Sequence, residues 1–448
     1  MIGKPTSIDA ILRAKEERAF KQKELLARFP EASLISLSIN IPSSIKLSHE
    51  AIVVHECAHQ SILSMLEEER IELLTFESKI APTGAESLFT CKAEAKILKA
   101  FTCKLENTHP LGRLMDIDVL DFRGEVLSRS ALGFAKRQCF VCGDEAQLCA
   151  RAQKHTYREL TLHINALVAE HAFANSMALW CERAMKTEVE LTPKPGLVDR
   201  TNSGAHRDMD IHTFYASIEA IKPFVVQWIQ TAQTYAYEDA KQSFVRLRKI
   251  GVGCEKAMFE ATKGVNTHKG MIFCLAVLCG AIGRIRGRKQ SFTCKSLQAQ
   301  MQALCDNLVE DDLLHVKPNS AGARFFYETG SAGIRGIAQS GFAIVFERAL
   351  PFFEARKQEE GEEIALKKTL LLLISLLDDS TLWSRGGVEG LNYAKTRADE
   401  LLHVKSKMEN LDTLLNDFDV DMTLKNLSPG GSADLLAMTW LLAQIVNF

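Results

Sequence analysis

From about Thr156 onward, nearly every segment of this 448-residue chain repeats its apolar residues at the 3.6-residue spacing of an amphipathic helix. The pattern recurs over His163–Lys186, Thr213–Tyr237, Ser243–Thr262, Met271–Gly283, Ser296–Val309, Leu366–Leu377 and Ala433–Val446, with polar loops rich in Gly, Asp and Arg between them. A stripe of that period buries one side of a helix and is of no use to a strand, whose faces alternate at every residue. An all-α fold is therefore expected for residues 171–448. The first stretch reads differently. Helical patterns at Ser7–Phe29 and His49–Leu74 mix with strand-like runs at Ser33–Ile41, Ile97–Leu105 and Leu114–Phe122, which predicts an α/β or α+β domain over residues 1–170. No Pro/Gly/Ser linker separates the halves, and Arg158–Lys186 reads as one helix across the boundary, so rigid coupling is expected.

Lys and Arg number 54 against 56 Asp and Glu, a net charge of -2. That balance argues against nucleic acid or an anionic membrane as a partner attracted by bulk charge. The start, Met1-Ile2-Gly3-Lys4-Pro5, lacks the apolar core of a signal peptide. The apolar stretches Leu370–Leu377 and Met271–Gly280 are shorter than the roughly 20 residues that span a bilayer. Twelve cysteines spread over such a chain read as reduced thiols of a cytoplasmic protein.

His55-Glu56-Cys57-Ala58-His59 matches H-E-x-x-H on a helical segment, with Glu72 or Glu77 as a third ligand. That spacing places two imidazoles on one zinc beside a general-base Glu, but it also describes an ordinary polar helix face. Leu114–Val119 alternates with period two, so a strand there sets Asp116 and Asp118 on one face and Met115, Ile117 and Val119 on the other. Paired carboxylates need a cation, and Mg²⁺ suits them, as in sites for metal-chelated polyphosphates. Asp417, Asp419 and Asp421 repeat the pattern but have Met422 and Ser428 where an EF-hand needs Gly and Glu, and read as a solvated loop. Cys139-x2-Cys142, Cys149 and His155 have the composition of a Cys₃His zinc site, or else are small buried cysteines beside a phosphate-facing Arg/His cluster.

The runs HPLGRLMDIDVL (His109–Leu120) and GEVLSR (Gly124–Arg129), followed by Arg137, Cys139, Cys142, Cys149, Arg151 and His155, resemble the apo-citrate lyase phosphoribosyl-dephospho-CoA transferase family (holo-citrate lyase synthase) over roughly residues 10–170. The resemblance implies a nucleotidyltransferase-like domain in which a serine of the citrate lyase acyl carrier subunit attacks the α-phosphate of triphosphoribosyl-dephospho-CoA and expels pyrophosphate. Asp116 and Asp118 would hold Mg²⁺, with Arg113, Arg129 and Arg137 clamping phosphate. Lys46 lies where the family has a Gly-Pro-x-Lys turn, with Ser43-Ser44 in place of Gly-Pro.

In the helical half, chemistry gathers in loops. Glu188–Arg200 holds Lys194 between two prolines and leads to His206, Asp208 and Asp210; Lys263–Gly270 opens a helix; Gly333–Gly336, Asp378–Gly387 and Ser428–Ser432 follow. The stretches TPKPGLVDR, NSGAH with its following DMD, and GVNTHKG resemble triphosphoribosyl-dephospho-CoA synthase over about residues 171–448. The resemblance implies transfer of the triphosphoribosyl group of ATP to the 2'-hydroxyl of 3'-dephospho-CoA, releasing adenine with inversion at the anomeric carbon. Asp199, Asp208, Asp210 and Asp379 would serve as metal ligands or base, with Mg²⁺ on Asp208 and Asp210. Lys194, Lys269, Arg335 and Arg385 would contact triphosphate, His206 and His268 would orient substrate, and Glu188 rather than Glu190 would face the site. Ile337, Ser380 and Thr381 stand where the family has Glu, Thr and Asn.

Together the resemblances describe a bifunctional transferase using ATP, 3'-dephospho-CoA and a carrier protein, its domain order suited to handing over the intermediate. Alternatives are a zinc metallopeptidase through His55, Glu56 and His59, the equivalent carrier-modifying system of malonate decarboxylase, and a non-catalytic carrier-protein chaperone.

Overall fold

The computed structural model describes residues 5–42, 45–314, 321–404 and 408–446. Its contacts divide the chain into two compact units, Met1–Phe173 and Ala174–Phe448.

In the first unit α1 (Ile8–Arg28), capped by the Ser7 hydroxyl, precedes β1 (Ser33–Ile39), and α2 (His49–Glu68) precedes a hairpin of β2 (Glu72–Ala81) and β3 (Gly84–Lys92). Then come α3 (Ala95–Thr108), β4 (Met115–Leu120) and α4 (Ala146–Arg151). The sheet is antiparallel throughout, in the order β2-β3-β1-β4, so the unit is α+β rather than α/β. One face buries Ile35, Leu37, Phe89, Ile117 and Val119 against α2 and Leu98 of α3. The other packs Leu34, Leu88 and Leu120 against Leu25 and Leu26 of α1.

Two expectations are corrected here. Residues 97–105, read as a strand, lie in α3, whose buried residues are Ala95, Leu98, Lys99, Thr102, Cys103 and Glu106. That i, i+3, i+4 series is one that a helix buries. The helix expected to reach Leu74 stops at Glu68. Arg70 adopts a left-handed φ of 54°. The Ile71 N–H bonds the Leu66 carbonyl at 2.8 Å and the Arg70 N–H bonds that of Glu67 at 3.0 Å, a paired closure usually marked by glycine. No glycine announces the stop, and β2 is an edge strand with mostly exposed positions, so its apolar signal is weak.

The helix α5 (Tyr157–Glu190) is continuous, as its pattern predicts. After it come α6 (Ile211–Thr234), α7 (Ala240–Ala261), α8 (Lys269–Gly287), α9 (Cys294–Leu304), α10 (Ala321–Thr329) and α11 (Gly333–Gln339). The chain closes with α12 (Leu350–Glu360), α13 (Glu362–Leu376), α14 (Ser380–Leu402), α15 (Met408–Leu424) and α16 (Gly430–Ile445). Among the described residues this unit contains no strand, in accord with the all-α reading. Three supposed loops are helical: Gly333–Gly336 opens α11, Asp379 caps α14, and Asp417, Asp419 and Asp421 lie within α15.

Helix α8 is the centre of the second unit, buried at Met271, Ile272 and every residue from Cys274 to Ile285. Glycines let α6 approach it. A Cβ on Gly283 would lie 2.3 Å from the Ile229 carbonyl oxygen, and one on Gly287 2.5 Å from that of Gln233. Among the described residues α8 alone has the length and mean hydropathy to cross a membrane, yet 78% of its apolar window is buried within the protein. It is built as a core helix. All twelve cysteines are free thiols.

Candidate active sites of the two units

The alternation of β4 turns Asp116 and Asp118 toward the α1 side of the sheet. The register sets them opposite Ser38 and Ser36 of β1, small residues that leave space around the acids. Asp116 Oδ1 lies 3.1 Å from Arg137 Nη1, and Ser38 Oγ donates to Asp116 Oδ2 at 3.5 Å. Burial, then the Asp116 charge, pushes the Asp118 carboxyl above its usual range. Like-charge crowding of this kind marks a pair that would accept a cation. Glu106, passed over in the sequence, is 2% exposed and organises the surroundings. It accepts the Ile117 N–H at 3.1 Å and pairs with Arg137, with Arg129 Nη2 at 3.9 Å. Arg113 Nε is buried without a hydrogen-bond partner, and burial beside Arg137 and Arg129 lowers its guanidinium pKa. The acid pair and three arginines are thus brought together, the charges a metal-chelated phosphate requires. Gly112 permits this, since a Cβ there would lie 2.5 Å from the Glu106 carbonyl oxygen. Lys46 Nζ bonds the Ile41 carbonyl at 3.4 Å, and Ser43-Ser44 lie outside the described residues.

The H-E-x-x-H residues are accounted for by packing. His55 Nε2 and His59 Nδ1 both hydrogen-bond the Ser87 hydroxyl, at 2.9 and 3.0 Å, and His59 packs edge-on to Phe76 and tilted against Phe89. Glu56 is exposed, while Glu72 pairs with Lys92 and Glu77 with Lys21. Cys139, Cys142, Cys149 and His155 instead converge, with their ligand atoms all within 4.8 Å of one another. Among the described residues they form the one such group of three or more potential ligands.

In the second unit a cavity of about 490 Å³ is lined by the first residues of three helices: Lys269 and Gly270 of α8, Ser380 and Thr381 of α14, and Gly430 and Gly431 of α16. Helix N-termini attract anions through their N–H groups and dipoles. Lys194 and Glu188 also line it and are paired at 2.5 Å, both nearly inaccessible to solvent. Glu190 turns instead to Arg200 and the Tyr215 hydroxyl.

Arg385 donates to the Ala205 carbonyl at 2.9 Å, to Asn426 Oδ1 at 3.0 Å and to His206 Nδ1 at 3.0 Å. A guanidinium only donates, so Nδ1 accepts and the ring proton sits on Nε2, which donates to Ser428 Oγ at 2.9 Å. Burial, then Arg385, holds the His206 pKa down to about 4. His268 lies 2.7 Å from Ser217 Oγ through Nδ1, while its Nε2 is buried and unpartnered. Burial, then Lys194, lowers its pKa to about 3.

Asp208 lines the cavity, whereas Asp199, Asp210 and Asp379 do not. Asp199 closes its own loop, accepting the N–H groups of Thr201, Asn202 and Lys194 at 2.7, 3.0 and 3.2 Å. Asp210 caps α6 through the Thr213 N–H at 2.8 Å. Asp379 accepts the N–H of Thr381 and that of Ser432, both at 2.9 Å, stapling the starts of α14 and α16 together. Asp419 is buried, not solvated as expected, because it accepts the Gly196 N–H at 2.8 Å and Asn202 Nδ2 at 2.9 Å. Arg335 pairs with Asp312 at 3.0 Å and, with Lys269 and Arg248, lines an adjoining cavity of about 290 Å³. Asp434, unnoticed in the sequence within an apolar helix, reaches the main cavity. Burial, then Glu188 and Asp379, pushes its carboxyl well up. A Cβ on Gly270 would lie 2.0 Å from Asp434 Oδ2, so the glycine makes room for this acid.

The two depressed histidines carry a pH prediction. His206 and His268 stay neutral in the fold, but in the unfolded chain they take up protons near 6.5. Their contribution to stability is complete above that pH and declines as pH falls through the interval toward about 4 for His206 and about 3 for His268. Urea midpoints should therefore drop across this interval, and His206→Gln should flatten the drop. An equally steep decline in the variant would contradict it.

Two family models match this chain. Residues 6–171 match the family model described as apo-citrate lyase phosphoribosyl-dephospho-CoA transferase, and residues 174–447 match that of ATP:dephospho-CoA triphosphoribosyl transferase. Protein CitXG of Haemophilus influenzae is 34% identical over 452 residues, covering 98% of this chain and 96% of the relative. Protein CitXG of Leuconostoc mesenteroides subsp. cremoris is 31% identical, covering 99% and 98%. A probable 2-(5''-triphosphoribosyl)-3'-dephosphocoenzyme-A synthase of Photobacterium profundum is 46% identical over 267 residues, 58% of this chain and 85% of its own length. With both families matched in one chain and relatives similar along its whole length, this protein belongs to the CitXG family of bifunctional transferases that make and attach the citrate lyase prosthetic group.

Proposed function

We propose that residues 171–448 join the triphosphoribosyl group of ATP to the 2'-hydroxyl of 3'-dephospho-CoA with release of adenine. Residues 1–170 then pass phosphoribosyl-dephospho-CoA to a serine of the citrate lyase acyl carrier subunit with release of pyrophosphate, in the cytoplasm. The observation that carries this reading is the second unit's cavity, where three helix N-termini, Lys194, Lys269 and Arg385 surround a volume open to a polyanion.

In that cavity the incoming hydroxyl oxygen bonds the anomeric carbon as the bond from that carbon to adenine breaks. Positive charge grows on the sugar, and the carboxylates of Asp208 and Glu188 stabilise it. Asp208, exposed at the cavity wall, takes the hydroxyl proton. Asp434, whose carboxyl burial pushes well up, is placed to deliver one to departing adenine. His268 offers its unpartnered Nε2 to substrate, and His206 holds Arg385 in place.

In the first unit the serine oxygen bonds the α-phosphorus as the bond to pyrophosphate breaks. Arg113, Arg129 and Arg137 take up phosphate charge beside Asp116. The crowded Asp116/Asp118 pair would hold Mg²⁺ here. When bound, Mg²⁺ neutralises phosphate oxygens.

Incubating the protein with ATP, 3'-dephospho-CoA and the apo-carrier tests the reading. Mass spectrometry should find free adenine and a carrier heavier by phosphoribosyl-dephospho-CoA. ATP consumption without adenine would end it.

A further inference from the structure

We infer that Cys139, Cys142, Cys149 and His155 bind one zinc ion, and that this centre positions Arg137 against Asp116 and Glu106. Cys149 Sγ lies 3.6 Å from that of Cys139 and 3.9 Å from that of Cys142. Two thiolates held about 2.3 Å from a tetrahedral zinc are about 3.8 Å apart, so the Cys149 sulfur already stands at edge length from the other two. His155 completes it. Its Nε2 is buried with no hydrogen-bond partner, a cost that ligation would remove.

The backbone is shaped to the same end. Gly143, directly after the second cysteine, adopts a φ of 77°. Its N–H bonds the Cys139 carbonyl at 3.1 Å, the Cys139 N–H bonds the Asp144 carbonyl at 2.6 Å, and the Val141 N–H points at Cys139 Sγ at 3.4 Å. Amides directed at sulfur stabilise a metal-bound thiolate. Cys149 comes from α4, and Gln153, with a φ of 46°, turns the chain so that His155 returns to it.

The need for a metal follows from burial. Between Asp121 and His155 the one fully buried residue is Cys149, with Leu127 and Phe140 partly buried against the core. A stretch with so little core is held by other means, and a structural zinc supplies them. Arg137 opens the knuckle: its carbonyl accepts the Ala146 N–H at 2.8 Å, and its guanidinium reaches Glu106 and Asp116. The ligands are therefore positioning residues for a cation of the transfer site. That second clause rests on the proposed transferase function, while the zinc itself does not.

The full-length protein, purified without chelator, should contain about one zinc per chain by elemental analysis. Exchange for Co²⁺ should give thiolate-to-metal charge transfer and the intense visible bands of a tetrahedral site. Cys142→Ser and His155→Ala should each lower bound zinc, and Cys142→Ser should raise amide exchange over residues 137–155. Carrier modification should fall about ten- to a hundredfold while adenine release from ATP persists. Wild-type protein free of zinc, with an octahedral Co²⁺ spectrum, would overturn the metal site, whatever the variants do. Zinc lost from Cys142→Ser with carrier modification at the wild-type rate would overturn the positioning of Arg137. Zinc present but no carrier modification by the wild type would count against the transferase reading alone.

Discussion

Asp116→Asn should slow transfer to the carrier by on the order of a thousandfold, about 4 kcal/mol of lost transition-state stabilisation, and leave adenine release unchanged. The substitution keeps the shape that Ser38 faces across the strands and removes one charge from the pair with Asp118. Its side chain is 45% exposed and its charge adds to the burial that raises the Asp118 pKa, so stability should hold or rise slightly. Arg137 would lose one of its two acidic partners but keep Glu106, which separates loss of the metal-and-phosphate site from collapse of the arginine cluster. The measurement is single-turnover mass gain on the apo-carrier with preformed triphosphoribosyl-dephospho-CoA, beside adenine release in the same preparation. Transfer within threefold of wild type would remove Asp116 from the reaction.

Lys194→Met should have the largest effect on the second unit, destabilising it by roughly 3–5 kcal/mol and abolishing adenine release. Glu188 and Lys194 have side chains 7% and 2% exposed, so removing the lysine strands a carboxylate in a poorly hydrated wall. The double variant Lys194→Met/Glu188→Gln should recover much of the stability, because a buried pair replaced by neutral groups of similar size is often near neutral. Adenine release should stay absent in it, since the cavity has lost a cation meant for phosphate. Urea unfolding and chromatographic detection of adenine read the two effects apart. Recovery of both stability and activity would show that Lys194 is only a structural counter-ion.

Much of the site was legible because its residues sit where local rules place them. Period-two alternation alone put Asp116 and Asp118 on one face, and sheet register then supplied Ser36 and Ser38 opposite. The cysteine spacing likewise anticipated a cluster that the fold closes to within 4.8 Å. The acids of the second unit were harder to rank. Asp199, Asp210 and Asp379 look like ligands in a list of motifs, yet Asp199 and Asp379 spend both oxygens on backbone N–H groups and Asp210 spends Oδ1 on one. Asp, the commonest loop brace and helix cap, is for that reason a poor guide to catalysis by itself.

The sequence by itself determined the helical half, the placing of the paired acids on a strand and the cysteine knuckle, because periodicity and short spacings are local properties of the chain. Only the tertiary structure decided that Glu106 gathers the arginines, that Asp434 reaches the cavity and that three helix starts meet there. It also decided that the H-E-x-x-H histidines share one serine hydroxyl. Those outcomes join residues far apart in the chain. Whether an acid caps, braces or faces a substrate is set by which backbone N–H groups the packing brings to it.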